Sequence, residues 1–250
     1  MSQFEGKVAL ITGGAHGIGR GIAKQFAERG AHTVIIDYNE ANGIKTAQEL
    51  TFGSVKSLFV KTDVSDPQAL VDARNKVFET FGRIDILVLN AGVAFANKVK
   101  DISFEEWNKT ISINLTGLFT TVKAFYADFL TNQGSIVYIS SGSALSGTGG
   151  GVSYPASKAG GEGLIRGLAK ELGPKGVNVN AIAPRLIDTG EMMRVNYPTQ
   201  ADLDAVLEKI PVRRLGTIED VANLAVFLAD KSNSYIQGQT ILMDGGRTIA

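Results

Sequence analysis

Val8-Ala9-Leu10-Ile11-Thr12-Gly13-Gly14-Ala15-His16-Gly17-Ile18-Gly19 is the stretch whose reading decides the fold. It opens as an apolar, β-branched run and breaks into glycines at 13, 14, 17 and 19. It then takes helical spacing at Ile18, Ile22, Ala23, Phe26 and Ala27. A strand, a glycine turn and a helix start make a phosphate cradle. Glycine lets the backbone approach a pyrophosphate, and the free N–H groups and positive end of the helix favour its charge. The order Thr12-Gly13-x-x-x-Gly17-x-Gly19 differs from G-x-G-x-x-G, and a glycine-rich strand-to-helix turn can also be a plain connection. The rest of the chain has to choose.

Apolar strand-like runs alternate with helical patterns along most of the 250 residues. Strands are expected near 7–12, 32–37, 55–61, 85–90, 134–140, 177–182 and 239–243, and helices near 17–29, 40–50, 67–81, 104–130, 154–172 and 217–229. This alternation predicts a single α/β domain over 1–250. It is a doubly wound, Rossmann-type, mostly parallel seven-stranded sheet with helices on both faces. Ser103-x-x-Glu106 and Thr217-x-x-Asp220 have the form of capping boxes, and Pro67 suits a first helical turn. The irregular region 184–216, with an amphipathic piece at Leu203, Val206, Leu207 and Ile210, follows a strand's carboxyl end. Open α/β sheets bind ligands there, so it is expected to be a substrate lid.

Composition excludes several classes. Lys plus Arg and Asp plus Glu are both 25, so no basic excess points to nucleic acid. Without cysteine there is no thiolate nucleophile, disulfide or thiolate metal site, and the two histidines, His16 and His32, lack ligand spacing. No metal is expected. No leader pattern or membrane-length apolar run is present, so the expected setting is cytoplasmic, away from membranes.

Asp37 ends the second expected strand, 18 residues after Gly19. A carboxylate there accepts hydrogen bonds from an adenosine ribose and repels a 2′-phosphate, which favours NAD over NADP. His16 is a weak counter-signal, since a basic residue before the second glycine helps hold a 2′-phosphate. Asp63-Val64 and Asn90-Ala91-Gly92 fall at the ends of the third and fourth strands, where turn residues are also common.

Tyr154 and Lys158 are four apart at a helix start, so both share one face, and no other tyrosine of the six has lysine at that interval. A phenol with pKa near ~10 is a poor base at neutral pH, and an adjacent ammonium favours its phenolate. Such a group would accept an alcohol's proton as hydride leaves the carbon. Ser141, 13 residues before Tyr154, would donate to the substrate oxygen. Asn114 sits against its propensity inside an apolar helix, a candidate for lysine positioning or a water relay.

Taken together, Thr12-Gly13-x-x-x-Gly17-x-Gly19, Asn90-Ala91-Gly92, Asn114, Ser141 and Tyr154-x-x-x-Lys158 resemble the short-chain dehydrogenase/reductase family. The likeness continues through Asn180-Ala181-Ile182-Ala183-Pro184 to Asp244-Gly245-Gly246. The resemblance implies catalysis by Ser141, Tyr154 and Lys158 with Asn114. It implies cofactor contacts from Gly13, His16, Gly17, Ile18, Gly19, Asp37, Asp63, Val64, Asn90, Ala91, Gly92, Tyr154 and Lys158. Pro184, Ile187 and Thr189 would complete the set near the carboxamide. A homodimer or homotetramer paired through the helices near 104–130 and 154–172 is also implied, with small residues such as Ala156, Gly160 and Gly163 allowing close approach.

Arg185 departs from the family, which usually has glycine after this proline. It is a substrate-site candidate with Ser141 and Tyr154, unless it pairs with a lid acid such as Asp188 or Glu191. The expected reaction moves hydride between NAD(H) and a secondary alcohol or ketone, with polyols and sugars the nearest substrates. An NADPH-dependent 3-oxoacyl carrier-protein reductase is the alternative enzyme. A non-catalytic dinucleotide sensor or an S-adenosylmethionine methyltransferase would need no Tyr/Lys pair.

Overall fold

The computed structural model describes residues 2–190 and 197–249. Its centre is a seven-stranded parallel sheet of β1 (Val8–Thr12), β2 (His32–Asp37), β3 (Ser57–Lys61), β4 (Ile86–Leu89), β5 (Ser135–Ile139), β6 (Asn178–Pro184) and β9 (Thr240–Met243). The order is β3-β2-β1-β4-β5-β6-β9. Every residue of β1, β4, β5 and β6 is buried, because helices cover the sheet on both faces and such strands read as unbroken apolar runs.

Side chains alternate across the sheet and divide the core in two. On one face, Leu10, Leu87, Ile136 and Val179 meet Leu70 of α3 (Pro67–Phe81), Phe125 and Phe129 of α5 (Gly117–Asn132), and Ile165 of α7 (Ser153–Leu172). On the other, Ile11, Val88, Val137 and Ile182 meet Ile22 and Phe26 of α1 (Gly17–Glu28) and Val221 and Ala225 of α9 (Ile218–Ala229). Between them, α2 (Glu40–Glu49) packs on β2 and β3. β1 lies between β2 and β4, so the winding direction reverses there and a crevice opens at the carboxyl ends of the strands.

The expected capping boxes form at Ser103–Glu106 and Thr217–Asp220. A third, Thr199–Asp202, opens α8 (Gln200–Leu207), the helix behind the amphipathic piece of region 184–216. That region is pinned at its base, where β7 (Ile187–Asp188) pairs with β8 (Gly216–Thr217). Its residues 191–196, including Glu191, lie outside the described residues.

One expected element differs. The single helix over 104–130 is α4 (Phe104–Ile111), a π-helical turn (Ser112–Thr116) and α5. A wider turn lets the polar Asn114 point inward without ending the helix, and such bulges often mark functional positions. Short α6 (Ser143–Ser146) follows β5. Among the described residues no helix is long and apolar enough to cross a membrane.

Candidate active site

At the switch point the backbone is held by a clasp. Thr12 Oγ1 accepts from the N–H groups of Asn90 and Ala91, at 3.0 and 3.1 Å. Asn90 Nδ2 returns bonds to the carbonyls of Thr12 and Gly13, at 3.2 and 3.0 Å. Gly13 has a positive φ of 63°. A methyl on Gly19 would stand 2.2 Å from the Gly13 carbonyl oxygen and 2.5 Å from Asn90 Nδ2. Glycine is therefore required by close approach, and the amide of Asn90 is spent on the clasp rather than offered to a ligand.

α1 begins at this turn with His16 at its N-cap, no side-chain cap and no acid in its first turn. Its leading N–H groups and dipole are left for an anion. A cleft of about 300 Å³ opens beside it, lined by Gly13, His16, Asp37, Asp63, Val64, Ala91 and Gly92 among others. Seven residues singled out from sequence thus come together. Buried Asp37 is fixed by the N–H groups of Ala15 (3.1 Å) and Asn39 (3.0 Å), one per carboxylate oxygen. Each oxygen keeps further acceptor capacity for a ribose diol. His16 is exposed, with Nδ1 3.9 Å from Asp37 Oδ2. Uncapped helix, glycine cradle and strand-end acid together fit the pyrophosphate and ribose of a dinucleotide.

Gly92 carries this cleft to the second half of the site. A methyl on it would stand 3.3 Å from Asn114 Oδ1 and 3.6 Å from Lys158 Nζ. Asn114 Oδ1 accepts from Val93 N–H (2.8 Å), and its Nδ2 donates to Val93 O (2.9 Å) and Ser157 Oγ (3.0 Å). It thereby ties the turn after β4 to α7. Lys158 is 3% exposed and donates to the Ile139 carbonyl at 2.8 Å. Its Nζ lies 5.1 Å from the Tyr138 ring centre and 5.6 Å from that of Tyr154. Burial lowers the ammonium pKa from 10.5 to about 8. Burial likewise pushes the Tyr154 phenol up, and its hydrogen bonding with Ser141 pulls the other way.

On the far side, Ser141 Oγ donates to Ser143 Oγ at 3.1 Å and accepts from the Ser143 N–H at 3.2 Å. Gly150 lies on the Tyr154 ring, where a methyl would stand 2.8 Å away. Arg185 and Ile187 line a separate cleft of about 280 Å³. Leu186, between them, has a φ of 57°, unusual for a bulky residue and signalled by no local pattern. Asp188 accepts from the Gly190 N–H, and among the described residues no carboxylate pairs with Arg185.

Ser157 and Tyr138 were not singled out from sequence, and Thr12 was named only as the first residue of the glycine motif. Thr12 and Ser157 act through hydrogen bonds that only the fold creates. Tyr138 is fully buried, and its hydroxyl has no partner among the described residues. It fits because Gly161 is bare, since a methyl there would stand 2.5 Å from that oxygen.

A family model described as enoyl-(acyl carrier protein) reductase matches residues 13–248. The chain is 36% identical over 245 residues to the 3-oxoacyl-[acyl-carrier-protein] reductase FabG of Escherichia coli, covering 98% of each. It is 37% identical over 247 residues to the (2S)-[(R)-hydroxy(phenyl)methyl]succinyl-CoA dehydrogenase subunit BbsD of Thauera aromatica, again covering 98% of each. The crystal structure of gox2181 superposes with a TM-score of 0.90 at 34% identity, covering 98% of this chain and 97% of that one. With the glycine cradle, the Asn114 turn and the Tyr154/Lys158 pair in one crevice, the chain belongs to the short-chain dehydrogenase/reductase family of nicotinamide-dinucleotide oxidoreductases.

Proposed function

We propose that the chain is an NAD-preferring oxidoreductase that interconverts a 3-oxoacyl group and its 3-hydroxyacyl alcohol. The observation that supports the chemistry is the pairing of Lys158 with Tyr154, 5.6 Å from Nζ to the ring centre, close behind Gly92, which lines the cleft beside the glycine turn. The names of the relatives support the substrate class and put it ahead of polyols and sugars. When bound, the nicotinamide supplies or accepts the hydride. In reduction, the Tyr154 hydroxyl donates a proton to the substrate oxygen while Ser141 donates a hydrogen bond to the same atom. In oxidation Tyr154 accepts that proton as phenolate. Lowering a phenol pKa by about three units takes roughly 4 kcal/mol, and the Lys158 ammonium is placed to contribute. Asn114 fixes that geometry by joining the turn after β4 to α7.

Asp37 supports NAD, because a 2′-phosphate would meet a buried carboxylate that already has fixed backbone partners. Exposed Phe104 on α4 and Phe119 on α5 support pairing of copies through these helices. Region 184–216 would close over bound substrate. The test is a panel of acetoacetyl thioesters, polyols and sugars with each cofactor, followed by loss or gain of reduced-nicotinamide absorbance. Thioester turnover with higher kcat/KM for NADH than NADPH is expected, and Asp37→Ala should narrow that ratio by about tenfold. Faster turnover of polyols, or preference for NADPH in the wild type, would sink the respective half of the reading.

A further inference from the structure

We propose that Arg185 forms a carboxylate-binding subsite beside the reacting carbonyl, so that the substrate is a 3-oxoacyl compound carrying a second, free carboxylate. This rests on the function proposed above and names the substrate within it. The stem of Arg185 lies in a slot left by Gly142, where a methyl would stand 2.9 Å from Arg185 Cβ and 3.2 Å from its Cδ. The Gly142 N–H donates to the Pro184 carbonyl at 2.9 Å, which locks the two segments together. Gly142 directly follows Ser141, one Cα step of about 3.8 Å.

The guanidinium itself is held lightly. Nη1 donates to Thr248 Oγ1 at 3.4 Å and Nη2 to Thr148 Oγ1 at 3.3 Å, both long bonds to neutral hydroxyls. Asp244 feels the Arg185 charge, yet its carboxylate accepts from the N–H groups of Gly246 and Thr248. Among the described residues none supplies an ion pair to Arg185. The cleft it lines also holds Asp220, paired with Arg214, and Asp244, bonded to backbone N–H groups. The donors left after the two threonine bonds therefore have no free carboxylate to match them among the described residues. Thr148 stands two residues from Gly150, which covers the Tyr154 ring, so one loop holds both the fork and the phenol.

Distance selects the source of the anion. The stem of Arg185 packs on Gly142, the residue after Ser141, so the fork lies within one arginine side chain of that position. A carrier's phosphate lies many bonds beyond the thioester. A carboxylate on the substrate's own short chain fits, and binds the fork through two parallel N–H···O bonds.

The test uses a matched pair, ethyl acetoacetate and the monoethyl ester of 3-oxoglutarate, with NADH and the wild-type, Arg185→Ala and Arg185→Lys proteins. In Arg185→Ala the anionic-to-neutral ratio of kcat/KM should fall by about tenfold or more through KM, with partial rescue by lysine. A ratio unchanged within about twofold overturns the subsite, as a charged hydrogen bond should be worth more. Acetoacetyl-CoA and acetoacetyl-pantetheine form a third arm. A fall in the CoA-to-pantetheine ratio on Arg185→Ala would assign the fork to phosphate and overturn the carboxylate. Should wild type reduce neither ester, the ketoreductase reading fails, and calorimetric titration with monoethyl glutarate decides Arg185 alone. Binding lost in Arg185→Ala upholds the subsite, and equal binding in both proteins overturns it.

Discussion

The two ends of the crevice are built differently. At the nucleotide end, Thr12, Gly13, Asn90 and Ala91 fix one another through four hydrogen bonds, and a single added methyl at Gly19 has no room. At the substrate end, Gly147, Gly149, Gly150 and Gly151 all have positive φ, a methyl on Gly147 would meet nothing within 4 Å, and Arg185 makes only long bonds. The first end is assembled before any ligand arrives. The second has an open turn at Gly147 and an arginine held only by long bonds, which a substrate can recruit. A shared cofactor calls for the first design, and specificity is free to vary in the second.

The strongest way to break this division is Tyr154→Phe, which sits on the border between the ends. Removing one oxygen should lower kcat by roughly 10²–10⁴-fold while leaving the dinucleotide dissociation constant nearly unchanged. Parallel loss of turnover and cofactor affinity would mean that the phenol belongs to the nucleotide end.

Next in size is a pair of alanine substitutions compared by denaturant unfolding. Gly19→Ala should cost about 3 kcal/mol, because its methyl meets backbone and a clasped amide. Gly147→Ala should cost about 1 kcal/mol, the strain of positive φ without a clash. Equal losses would erase the contrast between the two ends.

The smallest effect concerns Lys158, where stability and chemistry pull apart. Burial disfavours its ammonium, so between pH about 8 and 10.5 the unfolded chain binds more protons than the folded one. Wild-type stability attributable to this group therefore rises with pH through that window. Lys158→Met should be the more stable protein at neutral pH by about 2 kcal/mol, after the lost bond to Ile139 O is counted. That advantage should fall through zero near pH ~9.5 and reverse to a deficit of about 1 kcal/mol by pH 10.5, read from unfolding midpoints across the window. An advantage independent of pH would show that the ammonium is not strained by burial.

Much of the nucleotide end was legible in the chain, because its signals are local: a β-branched run, glycines at fixed offsets and an acid at the next strand's end. Strand edges fell within two residues of expectation for the same reason. Ser141, Tyr154 and Lys158 were legible as residues, but their surroundings were not. The π turn at Asn114 left only the trace of a polar residue in an apolar helix, since helical periodicity does not report a one-residue widening. Ser157 matters through its bond with Asn114 of the π turn, and Tyr138 through packing of β5 against α7, neither of which a local pattern encodes. Leu186 at positive φ runs against its own propensity, so sequence rules pointed away from it. Arg185 was legible only as a departure, and its light hydrogen bonding needed the loop and the C-terminal turn in place.

Amide hydrogen exchange tests the contrast most directly, because it reads local opening without any assumption about substrate. In the ligand-free protein, the hydrogen-bonded amides of residues 13–15 should be protected close to the global limit while residues 147–151 exchange fast. NAD(H) alone should leave 147–151 fast, and addition of a 3-hydroxyacyl product should slow them. Protection of 147–151 equal to that of 13–15 before any ligand is added would contradict the account.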